Sequence, residues 1–136
     1  MINPNVQVIE CVDFDPGDGP VALATATNLT SAYVTAVGMR RIVGLGIITA
    51  LANGLTFTVQ LMQATNVGAG GAKVLGAAQT VTAVGAQTLL AEVDVHESAL
   101  DDGGGFTFVA VRISHTGGLA RNVASILGRV PYVKPA

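Results

Sequence analysis

Apolar and polar side chains alternate along much of this chain, and a period of two is typical of strands with one buried face. Thr56 to Ala64 is the clearest case, because the odd-numbered positions from Phe57 to Leu61 are apolar and the positions between them are threonine and glutamine. Leu89 to Val95 repeats the pattern. Phe106 to His115 is apolar on both faces, which predicts a strand that is covered on both sides.

Further apolar runs extend the set of predicted strands. Arg40 to Leu51 is one of them, and Asn53-Gly54 supplies the positive φ that a tight turn needs, so we predict a hairpin between this strand and Thr56 to Ala64. A single helical turn is expected near Glu97 to Leu100. Weaker runs bring the prediction to eight or nine strands, and they are Val6 to Val12, Val21 to Thr27, Ala32 to Val37, Gln79 to Ala83 and Val123 to Val130.

Glycine and proline clusters separate these runs at spacings too short for long helices. Many short strands without helices between them are typical of an antiparallel β-sandwich, and eight strands suit a jelly roll, in which two sheets share one core. We therefore predict an all-β protein with a sandwich domain over residues 19–136. Residues 1–18 form a predicted N-terminal arm and linker, and Pro131 to Pro135 a predicted extended tail, because proline cannot donate within a central strand.

Charged residues are scarce and unevenly distributed. They make up 12% of the chain, against about 25% in typical soluble domains, whereas 50% of the residues are hydrophobic. Residues 19–91 contain only Arg40, Arg41 and Lys73 as charged side chains. The acids lie in the first 18 residues and between Glu92 and Asp102, and every later charge is basic, so the two ends can attract each other within a subunit or between neighbours.

The same composition argues against several classes of partner. A net charge of −2 with no basic cluster beyond Arg40-Arg41 disfavours a nucleic-acid groove. Ile42 to Val59 is uncharged and close to the length of a membrane helix, but Asn53-Gly54 and the threonines favour two strands and a turn, so no membrane partner is expected. Cys11 is the only cysteine, which excludes an internal disulfide. The N terminus lacks the regions of a secretory signal, and we expect synthesis in the cytoplasm.

No motif indicates catalysis, a cofactor or a metal. The aspartates between residues 13 and 18 lack the spacing of an EF-hand loop. Gly68 to Lys73 lacks the Gly-Lys-Ser/Thr ending of a phosphate-binding loop. His96 and His115 have no second ligand at metal-binding spacing, and His96-Glu97-Ser98 are neighbours along the chain without the geometry that catalysis requires. We therefore expect no catalytic residue, no cofactor and no metal site.

Three sequence blocks stand out in the middle of the chain. The first runs from Ser31 to Leu51, and the second runs from Leu55 to Asn66 and ends in Gln-Ala-Thr-Asn. The third begins with Glu-Val-Asp-Val at Glu92 and ends with Gly-Phe-Thr-Phe-Val-Ala-Val-Arg-Ile at Ile113. Together they span Ser31 to about Ser114, and they resemble the head decoration, or cement, proteins and related virion proteins of tailed bacteriophages.

The resemblance implies a jelly roll or related sandwich that binds the outside of an assembled capsid, often as a trimer or dimer, and bridges capsomers. The implied partners are the major capsid protein and further copies of this chain. The implied location is the outer surface of the capsid, after synthesis in the host cytoplasm. The candidate interface residues come from the arm, the arginine pair and the basic C-terminal part: Val6, Val8, Glu10, Asp13, Phe14, Arg40, Arg41, Arg129, Tyr132 and Lys134.

Other functions stay open at this point. Another virion component, such as a tail or head-tail connector subunit, would have the same strand pattern. A glycan-binding or receptor-binding sandwich would need exposed aromatic platforms, and the chain has no Trp and two Tyr. An enzyme is disfavoured because no catalytic arrangement is found.

Overall fold

In a computed structural model of the protein, the described residues are 13–16, 21–24, 27–117 and 119–131. This part of the chain forms ten strands and two short 3₁₀ turns at Glu97–Ala99 and Asp102–Gly104. The strands are β1 Asp13–Pro16, β2 Val21–Leu23, β3 Leu29–Thr30, β4 Val34–Thr35, β5 Met39–Leu51, β6 Thr56–Ala64, β7 Lys73–Thr82, β8 Gln87–His96, β9 Phe108–His115 and β10 Arg121–Pro131.

The strands form two antiparallel sheets. Sheet A has the order β1-β10-β5-β8, and β2 also pairs with β10. Sheet B has the order β3-β9-β6-β7, and β4 also pairs with β9. The chain passes repeatedly from one sheet to the other, which is the strand order of a jelly roll. The predicted all-β jelly-roll sandwich is confirmed.

One hydrophobic core fills the space between the two sheets. The inner side chains of β6, from Phe57 to Leu61, and those of β9, from Val109 to Ile113, are fully buried in it. On the facing strand β5, a Cβ atom at Gly46 would lie 2.8 Å from Val59 Cγ2 and 2.9 Å from the Phe57 ring. Such distances are shorter than ordinary packing contacts, so Gly46 allows sheet B to approach β5 closely.

Several strand predictions agree with the structure. Strand β6 has the predicted bounds, and β8 contains the whole of the predicted strand Leu89 to Val95. The predicted helical turn occurs as the 3₁₀ turn at Glu97–Ala99. In β9, the inward Val111 and the outward Ala110 are both completely buried, which confirms a strand covered on both sides. The predicted strand Val6 to Val12 lies outside the described residues.

The predicted hairpin between Arg40 to Leu51 and Thr56 to Ala64 is wrong. Gly54 does form a turn, with φ of 81°, but β5 belongs to sheet A and β6 to sheet B. The turn is a corner between the sheets, and β5 bends before it, where its pairing with β8 shifts between Ile48 and Leu51. The physical reason is that Asn-Gly determines only the local turn. Both edges of β5 pair with β10 and β8, and both edges of β6 pair with β9 and β7.

The end of the predicted N-terminal arm lies along the sandwich. Strand β1 pairs with β10, with Asp13 opposite Arg129 and Pro16 opposite Ile126. An edge position suits Pro16, because proline has no N–H to donate to a second neighbouring strand. The backbone of the acidic N-terminal segment therefore runs beside the basic C-terminal strand within one subunit.

Candidate interaction surfaces

The structure locates half of the ten predicted interface residues. Asp13 and Phe14 lie in the edge strand β1, where the structure defines their backbone pairing with Arg129 and Gly128. Arg40, Arg41 and Arg129 are described with their side chains. Val6, Val8, Glu10, Tyr132 and Lys134 lie outside the described residues.

The arginine pair lies at the start of β5, and both side chains are exposed. Arg41 forms an ion pair with Asp94 of the neighbouring strand β8, and its Nε donates to Asp94 Oδ1 at 3.1 Å. Exposed pairs of this kind contribute only about 0–1 kcal/mol to stability. Arg40 and Arg41 are therefore accessible to a partner without a large cost in the fold.

Arg129 has a different environment from the arginine pair. Its side chain is buried, and Nη1 donates to the carbonyl oxygen of Thr35 at 2.7 Å. Because Arg129 lies on β10 in sheet A and Thr35 on β4 beside sheet B, this hydrogen bond links the two sheets inside the subunit. The structure thus gives Arg129 a role within the chain.

The outer face of sheet B carries a second, smaller hydrophobic cluster. Met62 and Ala64 of β6 and Ala110 of β9 are buried there beneath Tyr33, which lies between β3 and β4. Phe108 also packs against this cluster. Burial raises the pKa of the Tyr33 hydroxyl, and the nearby Arg112 cation opposes that rise. The chain thus folds over the outer face of its own sheet B.

Gln60 covers an irregularity on the same face. Pairing between β6 and β7 shifts register after Val59. The Gln60 side chain is buried there, and its Nε2 lies within donor distance of the carbonyl oxygens of Leu61, Leu75 and Gly76, at 2.8, 3.2 and 3.1 Å. The amide therefore supplies a donor to carbonyl groups at the irregular pairing.

The outer face of sheet A presents apolar side chains on three adjacent strands. We call this surface the apolar face. Its side chains are Leu45 and Ile47 of β5, Leu90 of β8, and Ala124 and Ile126 of β10. Ile47 lies opposite both Leu90 and Ala124, and Leu45 lies opposite Ile126, so the side chains are contiguous. Leu90 is 63% exposed, Ile126 43% and Ile47 39%, around a shallow depression of about 180 Å³.

Charges border the apolar face on one side. Glu92 and Asp94 follow Leu90 along β8, and Asp94 is paired with Arg41. The outward positions of β10, from Asn122 to Val130, are uncharged. Sequence reasoning predicted a neutral surface without locating this face. The signal for it is the uninterrupted apolar run from Ile42 to Ile48, which makes both faces of β5 apolar.

A polar cluster joins the start of β7 in sheet B to the loop that contains the second 3₁₀ turn. Lys73 Nζ lies 2.6 Å from Asp101 Oδ2 and 4.2 Å from the centre of the Phe106 ring. The Gly104 N–H donates to Asp101 Oδ1 at 3.0 Å. The hydrogen bond from Lys73, and then that from Gly104, lowers the pKa of Asp101. These contacts hold the loop at residues 101–106 in place.

The two histidines also serve the local structure. His96 accepts a hydrogen bond from the Ser98 N–H at 3.2 Å and so caps the 3₁₀ turn that follows β8. His115 is buried, with Nε2 2.6 Å from the Leu23 carbonyl oxygen. Across the described ranges, no three His, Cys, Asp or Glu side chains are grouped to hold a metal ion. The same residues include no helix with the length and apolar character needed to span a membrane.

Comparisons with known proteins identify the fold. No family model matches the chain, and no curated protein matches its sequence. The exported protein XepA of PBSX superposes with a TM-score of 0.63 and 12% identity over 91% of this chain. Chains in structures of infectious bursal disease virus superpose with TM-scores of 0.59 for the Gx strain, at 10% identity over 92% of this chain, and 0.53 for the Gt strain, at 11% over 88%.

The protein spans only part of each of these structures. It covers 39% of the XepA chain and 33% and 32% of the two viral chains. Identities this low show a shared fold alone. The chain is therefore a jelly-roll β-sandwich protein, of a fold that also occurs in chains of a virus structure.

Proposed function

We propose that this chain is a non-enzymatic structural protein of a tailed-phage virion, which binds the outside of the assembled capsid and stabilises it by bridging capsomers. The observation that carries the proposal is the apolar face of sheet A. Contiguous exposed apolar side chains are uncommon on monomeric soluble domains and mark sites of contact with other proteins. The chain is thus built to pack against protein chains.

Two further observations support the proposal. The blocks between Ser31 and Ser114 resemble phage decoration proteins. The jelly roll itself also occurs in chains of infectious bursal disease virus structures. The low charge of the chain adds to this, because an interface that buries few charges loses little solvation energy.

Stabilisation of the capsid follows from mass action. A protein that binds the assembled shell and not its separate subunits lowers the free energy of the assembled state. Many copies on one shell add their effects, and a subunit that contacts two capsomers gains avidity from the second contact. The arm at residues 1–18 and the exposed Arg40 and Arg41 are proposed contacts with the shell or with a neighbouring subunit.

The test uses purified capsids of the virus that encodes the chain, prepared without this protein. We expect the protein to sediment with the shells until its sites are saturated, and to raise the temperature at which the shells break down. Sedimentation with tails alone, or binding to a glycan array without binding to shells, would contradict the proposal. Deleting residues 1–12 preserves β1 and should weaken binding while leaving the β-domain folded, as checked by circular dichroism. Undiminished binding would exclude a role for those residues.

A further inference from the structure

We propose that Asn53 is a site of spontaneous deamidation, and that contacts between the turn after β5 and the loop after β7 slow this reaction in the folded protein. We call the turn at residues 52–55 the Asn-Gly corner, and residues 83–86 the β7–β8 loop. Asn53 and Gly54 are both exposed to water. The inference concerns the chemistry of the chain itself and does not depend on the proposed function.

Deamidation at an Asn-Gly sequence needs no reactant besides the chain and water. The backbone nitrogen of Gly54 loses its proton and attacks Asn53 Cγ, the Cγ–Nδ2 bond breaks, and ammonia leaves. Water then opens the five-membered imide at either of its two carbonyl groups, which gives aspartate or isoaspartate at position 53. Glycine favours the ring closure because it has no Cβ atom to obstruct the attacking nitrogen. Proteins from hyperthermophiles contain fewer asparagines, since this residue degrades on heating.

Both residues of the reactive pair have a role in the fold. Gly54 has φ of 81°, a conformation that residues with a side chain rarely adopt. Asn53 Oδ1 accepts a hydrogen bond from the Gly85 N–H at 2.9 Å and so joins the Asn-Gly corner to the β7–β8 loop. The corner between the two sheets thus depends on a sequence that is chemically unstable.

The groups that must meet in the reaction are held by partners in the β7–β8 loop. The Gly54 N–H donates to the carbonyl oxygen of Ala83 at 2.9 Å, so the attacking nitrogen is engaged elsewhere. The Asn53 amide is engaged by Gly85. The Ala83 N–H in turn donates to the carbonyl oxygen of Leu55 at 2.9 Å. Ring closure therefore requires that the corner first separates from the loop, and only the open fraction of molecules reacts.

The two products would affect the Asn-Gly corner differently. Aspartate at position 53 keeps an oxygen that can accept from the Gly85 N–H. Isoaspartate lengthens the main chain by one atom before Gly54. Because Gly54 and Leu55 both bond to Ala83, the added atom cannot be accommodated without disturbing these hydrogen bonds. We therefore expect isoaspartate to loosen this corner more than aspartate does.

The experiment follows deamidation of Asn53 in the full chain at mildly alkaline pH, folded in buffer and unfolded in guanidinium chloride. Mass spectrometry of proteolytic peptides detects replacement of the amide NH₂ by OH. The variant is Gln87→Ala, because Gln87 Oε1 accepts from the Val84 N–H in the β7–β8 loop at 2.9 Å. The matched control is Gln79→Ala, since Gln79 Oε1 accepts from the Glu92 N–H at 2.8 Å, outside that loop. Circular dichroism checks that both variants are folded.

We expect Asn53 to react about tenfold or more slowly in the folded than in the unfolded wild type, because several hydrogen bonds must open first. Gln87→Ala should accelerate the reaction in the folded protein about threefold or more, since it loosens the loop, whereas Gln79→Ala should not. Asn66 supplies the background rate in the unfolded chain, because the branched side chain of Val67 obstructs the same attack.

Three results would overturn the inference. The first is an equal rate at Asn53 in the folded and unfolded wild type, which would show that the contacts with the β7–β8 loop do not slow the reaction. The second is a rate at Asn53 in the unfolded chain no higher than that at Asn66. The third is a folded Gln87→Ala variant that reacts no faster than Gln79→Ala.

Discussion

The outer faces of the two sheets of this jelly roll differ in burial. On sheet B, the segment that carries Tyr33 folds over Met62, Ala64 and Ala110, and the cluster is buried within the subunit. On sheet A, side chains of the same kind, such as Ile47 and Leu90, stay exposed. The chain thus has apolar side chains on the outer faces of both sheets and covers only those of sheet B. The outer face of sheet B stabilises the fold, whereas the apolar face of sheet A stays exposed in the subunit.

Burial of the apolar face would contribute only part of the free energy that association with a partner needs. Complete burial of a Leu or Ile side chain contributes about 1.5–3 kcal/mol. Leu90, Ile126 and Ile47 are each only partly exposed, so each would contribute a fraction of that value on contact. A partner that covered all three side chains would gain the sum of these fractions, which offsets part of the entropy lost on association.

The largest expected effect is a difference in the free energy of unfolding between variants on the two outer faces. Met62→Ala removes a buried side chain from the outer face of sheet B and should lower the free energy of unfolding by about 2–5 kcal/mol. Leu90→Ala removes an exposed side chain from sheet A and should change it by about 0.5 kcal/mol or less. Urea unfolding at low protein concentration measures both. Equal losses would show that the two faces do not differ as described.

A smaller loss of stability is expected when the side-chain amide of Gln60 is removed from the outer face of sheet B. Gln60→Leu keeps the size of the side chain but removes the donor that lies near three carbonyl oxygens. We expect a loss of about 1–3 kcal/mol, because these buried acceptors lose their partner. Thr58→Val is the control on the same strand, since Thr58 is only partly buried and bonds to Thr80. If the two variants unfold at the same urea concentration, the Gln60 amide does not stabilise the irregular pairing.

The smallest effect is local and depends on pH. The pKa of Asp101 is lowered in the folded protein, chiefly by its hydrogen bond from Lys73, from an ordinary value of 3.8. The stabilisation is therefore complete above this value and is lost as the pH falls through the lowered pKa. We expect the Gly104 N–H to lose protection in acid, measured by NMR as its exchange rate relative to that of an unstructured amide at the same pH. Asp101→Asn should abolish this pH dependence, and an unchanged acid response in that variant would assign it to another group.

Much of the fold could be predicted from the sequence because strand alternation is local. The alternation of apolar and polar residues correctly predicted both ends of the strand Thr56 to Ala64. The apolar character of both faces of Phe106 to His115 correctly predicted a strand that is covered on both sides. Strand β7 shows the limit. Only its second half was predicted, because its first half contains Gly76, which has φ of 69° where the pairing with β6 is irregular.

The candidate surface was harder to predict than the fold. The sequence indicated a neutral body and named Arg40 and Arg41, which are exposed. It also named Arg129, which is buried and bonded to Thr35, 94 positions away along the chain. A basic residue in a strand looks the same in either case, because the sequence does not say which strand will lie across from it.

The sequence by itself determined the all-β class, the position of most strands, the scarcity of charge and the presence of apolar residues on both sides of β5. These properties depend on neighbours two positions apart, which the backbone of a strand places on the same face. Only the tertiary structure decided that Asn53-Gly54 turns a corner between sheets, that β1 pairs with β10, and that Tyr33 covers sheet B while the apolar face of sheet A stays exposed. Those outcomes depend on contacts between residues far apart along the chain, because burial is a property of the packed molecule and not of any one segment.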